Sequence, residues 1–496
     1  MRMRLPDFSS MMKGCRMTTK YLIGTTRCGI LVRILGIISA IVVVAGGLQL
    51  SLRQPSSSAL AGGAGNWPTY MGGNEHKGFN KFETMLNANS AHNLKLHWVY
   101  KAGGWISSQV IIVNGTLYWG SADGYEYAMN LNGQVLWRTF LGNIPTAPPA
   151  CFPTSAGVTA PATVSTVSIR GKMTPVVFVG GGDTQFYALN ATNGSIIWRT
   201  ALGVPPNMMI WAGASIYNGS LYIGRASYGD CPLEPGEFFQ INASTGAIEH
   251  SFMTVPAGCI GGGIWMTPTI DEMHGTVYVS TGTIHSCSTY ESYAYALLEF
   301  DTRTLTLLHA WQVPKAQQGN DDDFGSTPML FTAAINGTVH NMIGLVNKNG
   351  IYYALDRANI SAGPLWETRI STPAPDARSS ISSSAWDEKS IYIGDSHTTI
   401  GSQGCLGSMR ALNPSTGSIL WEHCLPGKVQ GSAMVVPGVV AIGSGAFLYV
   451  LDARTGATLF SYHDPSPVSL FWGTPTISNG MLYIGNKDGS LFAFGL

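Results

Sequence analysis

Ala411-Leu412-Asn413-Pro414-Ser415-Thr416-Gly417-Ser418-Ile419-Leu420-Trp421 is the stretch that decides the fold. Ala411 and Leu412 end one apolar run, Asn413 to Gly417 are turn formers, and Ser418 to Trp421 open the next run. Gly417 falls where a positive φ is needed, which glycine adopts at little steric cost. The phrase reads as strand, tight turn, strand. It recurs at residues 188–198 (ALNATNGSIIW), 451–460 (LDARTGATLF) and 128–137 (AMNLNGQVLW), with weaker copies at 239–250, 299–311 and 354–366. Such a period outranks local propensity, because it marks units that bury their faces by stacking on one another.

The repeat-end positions are Trp98, Trp137, Trp198, His250, Trp311, Trp366, Trp421 and Phe460, spaced 39 to 61 residues apart. Each unit also holds an apolar strand closing in Gly, Ser or Val, at 116–120, 176–180, 220–224, 276–280, 342–346, 390–394, 439–443 and 481–485. Two independent marks give eight units, which predicts an all-β, eight-bladed β-propeller. Residues 94–100 (LKLHWVY) carry a repeat Trp without a preceding turn, and residues 481–494 form a hairpin without a following Trp strand. Each completes the other, so pairing of the N-terminal and C-terminal strands is expected to close the ring and remove free edges. The repeat tryptophans read as structural: a large ring docking on a small residue.

Composition agrees. Charged residues are 11% of the 496, split 28 to 28, with 60 Gly and 13 Trp, which suits short strands and many turns. A net charge near zero argues against a nucleic-acid partner, since no basic stripe is available to neutralise phosphates. Residues 1–33 carry seven Lys and Arg against Asp7 alone, and residues 34–50 are a largely apolar run. This reads as a signal peptide, with Ala59-Leu60-Ala61 as a cleavage pattern, or else as a membrane anchor at 34–50. The expected organisation is a basic leader with signal or anchor at 1–61, a linker and lead-in at 62–93, and the propeller at 94–496. Six cysteines lie beyond the leader, enough for three bridges in an exported protein. Cys405 with Cys424, which flank one strand-turn-strand unit, is the first expected pair, and Cys259 with Cys287 the second.

The repeat A-x-D/N-x-x-T-G-x-x-x-W resembles that of the pyrroloquinoline-quinone (PQQ) propellers, a superfamily of quinoprotein alcohol dehydrogenases, polyvinyl-alcohol dehydrogenases and non-catalytic relatives. The resemblance covers about residues 66–496. Four stretches carry it into the site. Gly261-Gly262-Gly263-Ile264-Trp265 resembles the segment whose Trp is the floor beneath PQQ. Thr281-Gly282-Thr283 lies where the family reads T/S-G-N, the Asn being a calcium ligand. Asp321-Asp322-Asp323-Phe324-Gly325 resembles the D-x-D segment that holds the catalytic base. Asn347-Lys348-Asn349-Gly350 resembles the stretch whose Lys or Arg contacts the quinone oxygens.

The resemblance implies oxidation of an alcohol, small or polymeric, with PQQ and calcium as cofactors. In that reading Asp321 takes the hydroxyl proton, Lys348 polarises the quinone, Trp265 and Thr283 contact the cofactor, and Asp321, Asp323 and Glu234 hold calcium. No C-x-x-C-H haem site is present, so electrons would leave to a separate acceptor such as a cytochrome. Two departures stand against this. Thr283 replaces the Asn, and Cys231, in Asp230-Cys231-Pro232-Leu233-Glu234, has no adjacent Cys to form the vicinal disulfide that stacks over PQQ. The other reading is an extracytoplasmic binding or scaffold propeller that has lost the cofactor. There Asp321 to Asp323 form a solvated loop, Lys348 is a turn lysine and Trp265 is blade core.

Overall fold

The computed structural model describes residues 65–147, 151–285, 287, 293–372 and 381–496; the expected signal or anchor and its cleavage site lie outside them. Among the described residues no helix is long and apolar enough to cross a membrane. Among the described residues, eight antiparallel four-stranded blades follow one another around a ring; seven run their main strands in sequence order, the third with one added short strand, the eighth takes its outer strand from the N-terminal end, and a two-stranded ribbon pairs Ile260–Gly261 with Ile284–His285. Asn-Gly corners turn the strands: Asn114, Asn218, Asn336 and Asn479 take φ near +50° and are each followed by a positive-φ Gly.

The ring closes as expected. Strand Lys95–Lys101 adds to the last sheet beside Ser490–Gly495, with Lys95 opposite Gly495 and Lys101 opposite Ser490. The last blade is therefore built from both ends of the propeller, and the edge of the C-terminal hairpin is covered.

The repeat phrase has a physical cause that spans blade boundaries. The repeat Trp of one blade lies on the turn glycine of the next. A Cβ built on Gly194 would stand 2.6 Å from Trp137, one on Gly246 2.7 Å from Trp198, and one on Gly456 2.5 Å from Trp421. These turn glycines have φ between +70° and +80°. Each indole Nε1 also donates to a carbonyl in that neighbouring turn: Trp137 to Ala191, Trp198 to Ala243, Trp366 to Pro414 and Trp421 to Ala453, at 2.9–3.1 Å. Glycine is thus required twice, for its backbone conformation and for ring clearance.

Residues 66–86 form a belt that meets the first strand of every blade. Trp67 exchanges backbone hydrogen bonds with Ile112, and the Val164 N–H donates to the Pro68 carbonyl. Asn74 reaches Ile216 and Ile270, Glu75 reaches Leu330, Lys77 reaches Trp386, Gly78 reaches Val435, and Asn80 reaches Ile477. Tyr70 stands at the axis, its hydroxyl bonded to Ser383 and Ser432.

Three disulfides are formed. Cys405–Cys424 and Cys259–Cys287 are the two expected pairs, and Cys151–Cys231 joins residues 80 apart. Cys231 is therefore not single. Its partner comes from a distant loop rather than from a vicinal cysteine.

Candidate functional site

Blade 5 supplies the charged centre. Its second strand, Thr338–Val346, runs into the Asn347-Lys348-Asn349-Gly350 turn, where the Asn347 side chain accepts from the Asn349 N–H at 2.9 Å and Gly350 has φ +82°. The turn is tied to the loop that leads into the same blade, since the Lys348 N–H donates to the Asp323 carbonyl at 3.0 Å. This crossing brings Lys348 onto Asp321 and Asp323. Its Nζ lies 2.9 Å from Asp321 Oδ1 and 2.7 Å from Asp323 Oδ1. It also lies 5.1 Å from the centre of the Trp265 ring, a cation–π distance.

Blade 4 positions the floor and the fourth side. The Gly282 N–H donates to the Gly263 carbonyl, and the Thr283 N–H to Asp323 Oδ2 at 2.9 Å. Trp265 follows the three glycines and lies against Gly325, where a Cβ would stand 2.6 Å from the indole. A glycine at 325 is what leaves room for the ring.

Electrostatics separate the members of the cluster. Burial pushes the Asp321 carboxyl up to about 7, with Lys348 opposing the rise and the Asp323 and Asp230 charges adding to it. Burial likewise raises Asp322. Burial works to lower the Lys348 ammonium, yet the two aspartates together carry it above its ordinary value. Lys348 is thus a permanent cation, and Asp321 is the group that changes charge near neutrality.

These residues line a cavity of about 520 Å³ with Asp230, Cys231, Tyr228, Trp211 and Trp472. Trp211, Trp265 and Trp472 also line a smaller chamber of about 250 Å³ along the axis, walled by Thr159, Thr267, Thr327, Ser432 and Thr474 and bounded by Tyr70. The Cys151–Cys231 bridge stands at the wall of the larger cavity. Phe152, next to that bridge, packs edge-on against Trp472, and Lys487 lies over both rings.

Of the six residues singled out from sequence, Asp321, Asp323, Lys348, Trp265 and Thr283 come together here; Glu234 does not. Glu234 accepts from Asn207 at 3.1 Å and is absent from the cavity wall. Sequence reasoning missed Asp230, Trp211 and Trp472. A signal for the tryptophans exists: Trp105, Trp211, Trp265 and Trp472 each stand two residues before a small residue, Ser107, Gly213, Thr267 or Thr474. That is a second Trp phase, distinct from the repeat-end one.

The residues present fit a flat, acceptor-rich ligand such as PQQ. The indole of Trp265 offers a floor, Lys348 a cation, and Trp472 Nε1 is a buried donor with no hydrogen-bond partner among the described residues. They do not fit a calcium ion. Calcium takes six to eight oxygens, and here few are offered: Asp321 Oδ1 accepts from Lys348, Asp323 Oδ1 faces the Lys348 ammonium as an ion pair without a hydrogen bond, Asp323 Oδ2 accepts from the Thr283 N–H, and the Thr283 hydroxyl is bonded to Tyr295 at 2.6 Å. Among the described residues no three His, Cys, Asp or Glu gather as they would around a metal.

The family model described as outer membrane protein assembly factor BamB matches residues 260–494. Polyvinylalcohol dehydrogenase of Sphingopyxis sp. is 24% identical over 494 residues, 85% of this chain and 72% of the relative. A second, from Pseudomonas sp., is 24% identical over 466 residues, 80% and 70% of the two chains. The crystal structure of quinohemoprotein alcohol dehydrogenase from Comamonas testosteroni superposes with a TM-score of 0.70 at 16% identity, covering 88% of this chain and 81% of that one, a likeness of fold. The chain is a PQQ-binding-like eight-bladed β-propeller related to the quinoprotein and polyvinyl-alcohol dehydrogenases.

Proposed function

We propose that this protein oxidises an alcohol, small or polymeric, with PQQ in the large cavity, and passes the electrons to a separate carrier such as a cytochrome. The observation that carries the reading is the Lys348–Asp321 pair set over Trp265 in one cavity. PQQ, when bound, would supply the two-electron acceptor. Lys348 offers a fixed positive charge to an acceptor oxygen, and it needs no reorganisation because Asp321 and Asp323 already hold it. Asp321 Oδ takes the hydroxyl proton, and a carboxyl raised to about 7 is matched to that task. Phe152, Trp211 and Trp472 give the cavity an apolar wall beside the pair. Three disulfides and the basic, then apolar, leader support an extracytoplasmic site of action.

The test is titration of the full chain with PQQ, followed by dye reduction over a panel of alcohols that includes polyvinyl alcohol. Saturable binding and turnover are expected. Turnover should rise as pH is raised through about 7, because Asp321 must be ionised to accept a proton. Asp321→Asn should lower kcat about 10²–10⁴-fold, the range for loss of a general base, while leaving PQQ affinity within a few-fold. A folded protein that binds no PQQ would sink the reading. The binding or scaffold propeller would then take its place.

A further inference from the structure

We propose that Lys348 is the resident cation of this cavity in place of a metal ion, so that the site takes its flat aromatic ligand without calcium. The inference rests on the proposed function for the identity of the ligand, but not for that of the cation. Three sides of the ammonium are met: Asp321 Oδ1 at 2.9 Å, Asp323 Oδ1 at 2.7 Å, and the Trp265 face at 5.1 Å. An ammonium has three donors and no acceptor; here it donates to Asp321 Oδ1, is ion-paired with Asp323 Oδ1 and faces the Trp265 ring. The Lys348 side chain is 11% exposed and that of Asp323 5%, so neither charge has ready recourse to water. A buried carboxylate of this kind needs a cation beside it.

A divalent ion and the ammonium would compete for the same aspartate oxygens. Ca²⁺ would have to lie within 2.3–2.6 Å of them, where Nζ now stands at 2.7–2.9 Å. Admitting the ion means expelling a buried ammonium whose main chain is pinned to Asp323 by the 3.0 Å hydrogen bond. It also means finding further oxygens. Glu234 is held by Asn207, and the Thr283 hydroxyl by Tyr295. The lysine thus both neutralises the aspartates and excludes the metal.

The experiment uses the full chain freed of metal. Tb³⁺, a calcium surrogate excited through nearby tryptophan, reports a metal at Asp321 and Asp323. Wild-type protein should give no saturable Tb³⁺ or Ca²⁺ binding below about millimolar, the weak end of calcium sites. Lys348→Met should gain Tb³⁺ binding at least tenfold tighter than wild type, and a further Asp323→Asn change should remove it. Lys348→Arg, which keeps the charge, should behave as wild type. In parallel, PQQ affinity of the wild type should agree within about twofold in excess chelator and in excess Ca²⁺. Micromolar Ca²⁺ binding by the wild type that is lost in Asp323→Asn would overturn the inference, as would PQQ binding that needs Ca²⁺. If Lys348→Met does not fold, the wild-type and Lys348→Arg titrations decide the matter alone. If PQQ binds under neither condition, the proposed function falls while the metal titrations still identify the cation.

Discussion

Glu126 has no exposed surface, and neither of its carboxyl oxygens has a hydrogen-bond partner among the described residues. It lies in strand Tyr125–Asn130 of the first blade, opposite Gly120 and Thr139. Burial alone raises its pKa well above the ordinary carboxylate range. Burial also raises Asp321, but Asp321 has Lys348 beside it and a cavity before it. That contrast separates a functional carboxyl from a liability. The folded state holds the Glu126 proton where the unfolded chain has released it. Stability is therefore complete below the unfolded value and falls as pH rises above it, until the folded group ionises. Glu126→Met should stabilise the protein by about 1–3 kcal/mol at neutral pH, the usual cost of a buried unpartnered polar group. In urea denaturation at pH 5 and pH 8, the gain over wild type should be larger at pH 8. An equal gain at both would mean that the carboxyl has found a partner and is ionised throughout.

The repeat unit is a contact between blades, and its exceptions come in pairs. Blade 4 has Leu305 at φ +53° where the other full turns place glycine, and the blade before it ends in His250 where all the others but the one ending in Phe460 end in Trp. Phe460 precedes the blade whose corresponding turn is interrupted by the chain ends, and it packs on Phe494 instead. A Trp is used where a glycine receives it. His250→Trp alone should therefore gain nothing or destabilise, and Leu305→Gly alone should destabilise by removing a buried side chain. The double variant should recover part of the loss, with a coupling energy of about 0.5–3 kcal/mol in a double-mutant cycle. Additive losses would show that the two exceptions are independent. The same logic explains what was legible in the sequence. Blade count, ring closure and the Cys405–Cys424 pair follow from the repeat, because they are made within its units or between neighbouring ones; Cys259–Cys287, the second expected pair, lies beside the Ile260–Gly261 and Ile284–His285 ribbon, outside the repeat phrase. Lys348, Asp323 and Trp265 were legible because short motifs carry them. Glu234, Asp230 and the Cys151 partner of Cys231 were not. Their positions depend on how long loops fold over the cavity, and no period constrains a loop.

At the scale of the molecule, the ring and the belt couple all eight blades. The belt of residues 66–86 bonds to the first strand of each, and Ser490–Gly495 lies between Met481–Gly485 and the N-terminal strand Lys95–Lys101. Unfolding should accordingly be a single cooperative transition rather than a series of blade losses. The closing strand is the place to test it. Leu491, Phe492 and Phe494 are each at most 3% exposed. Burial of such side chains contributes about 1.5–3 kcal/mol apiece, so the strand's large residues contribute roughly 5–9 kcal/mol. That is comparable with the whole stability of an ordinary domain, about 5–15 kcal/mol. Deleting residues 490–496 also exposes two strand edges, on Lys95–Lys101 and on Met481–Gly485, each a template for intermolecular pairing. The truncated chain should lose its cooperative melt and elute as oligomers on size exclusion, although the deletion is far from Lys348 in sequence. A truncated chain that stays monomeric and melts within a few degrees of the full one would mean that the belt alone holds the ring. The closing strand would then be an ornament of the last blade.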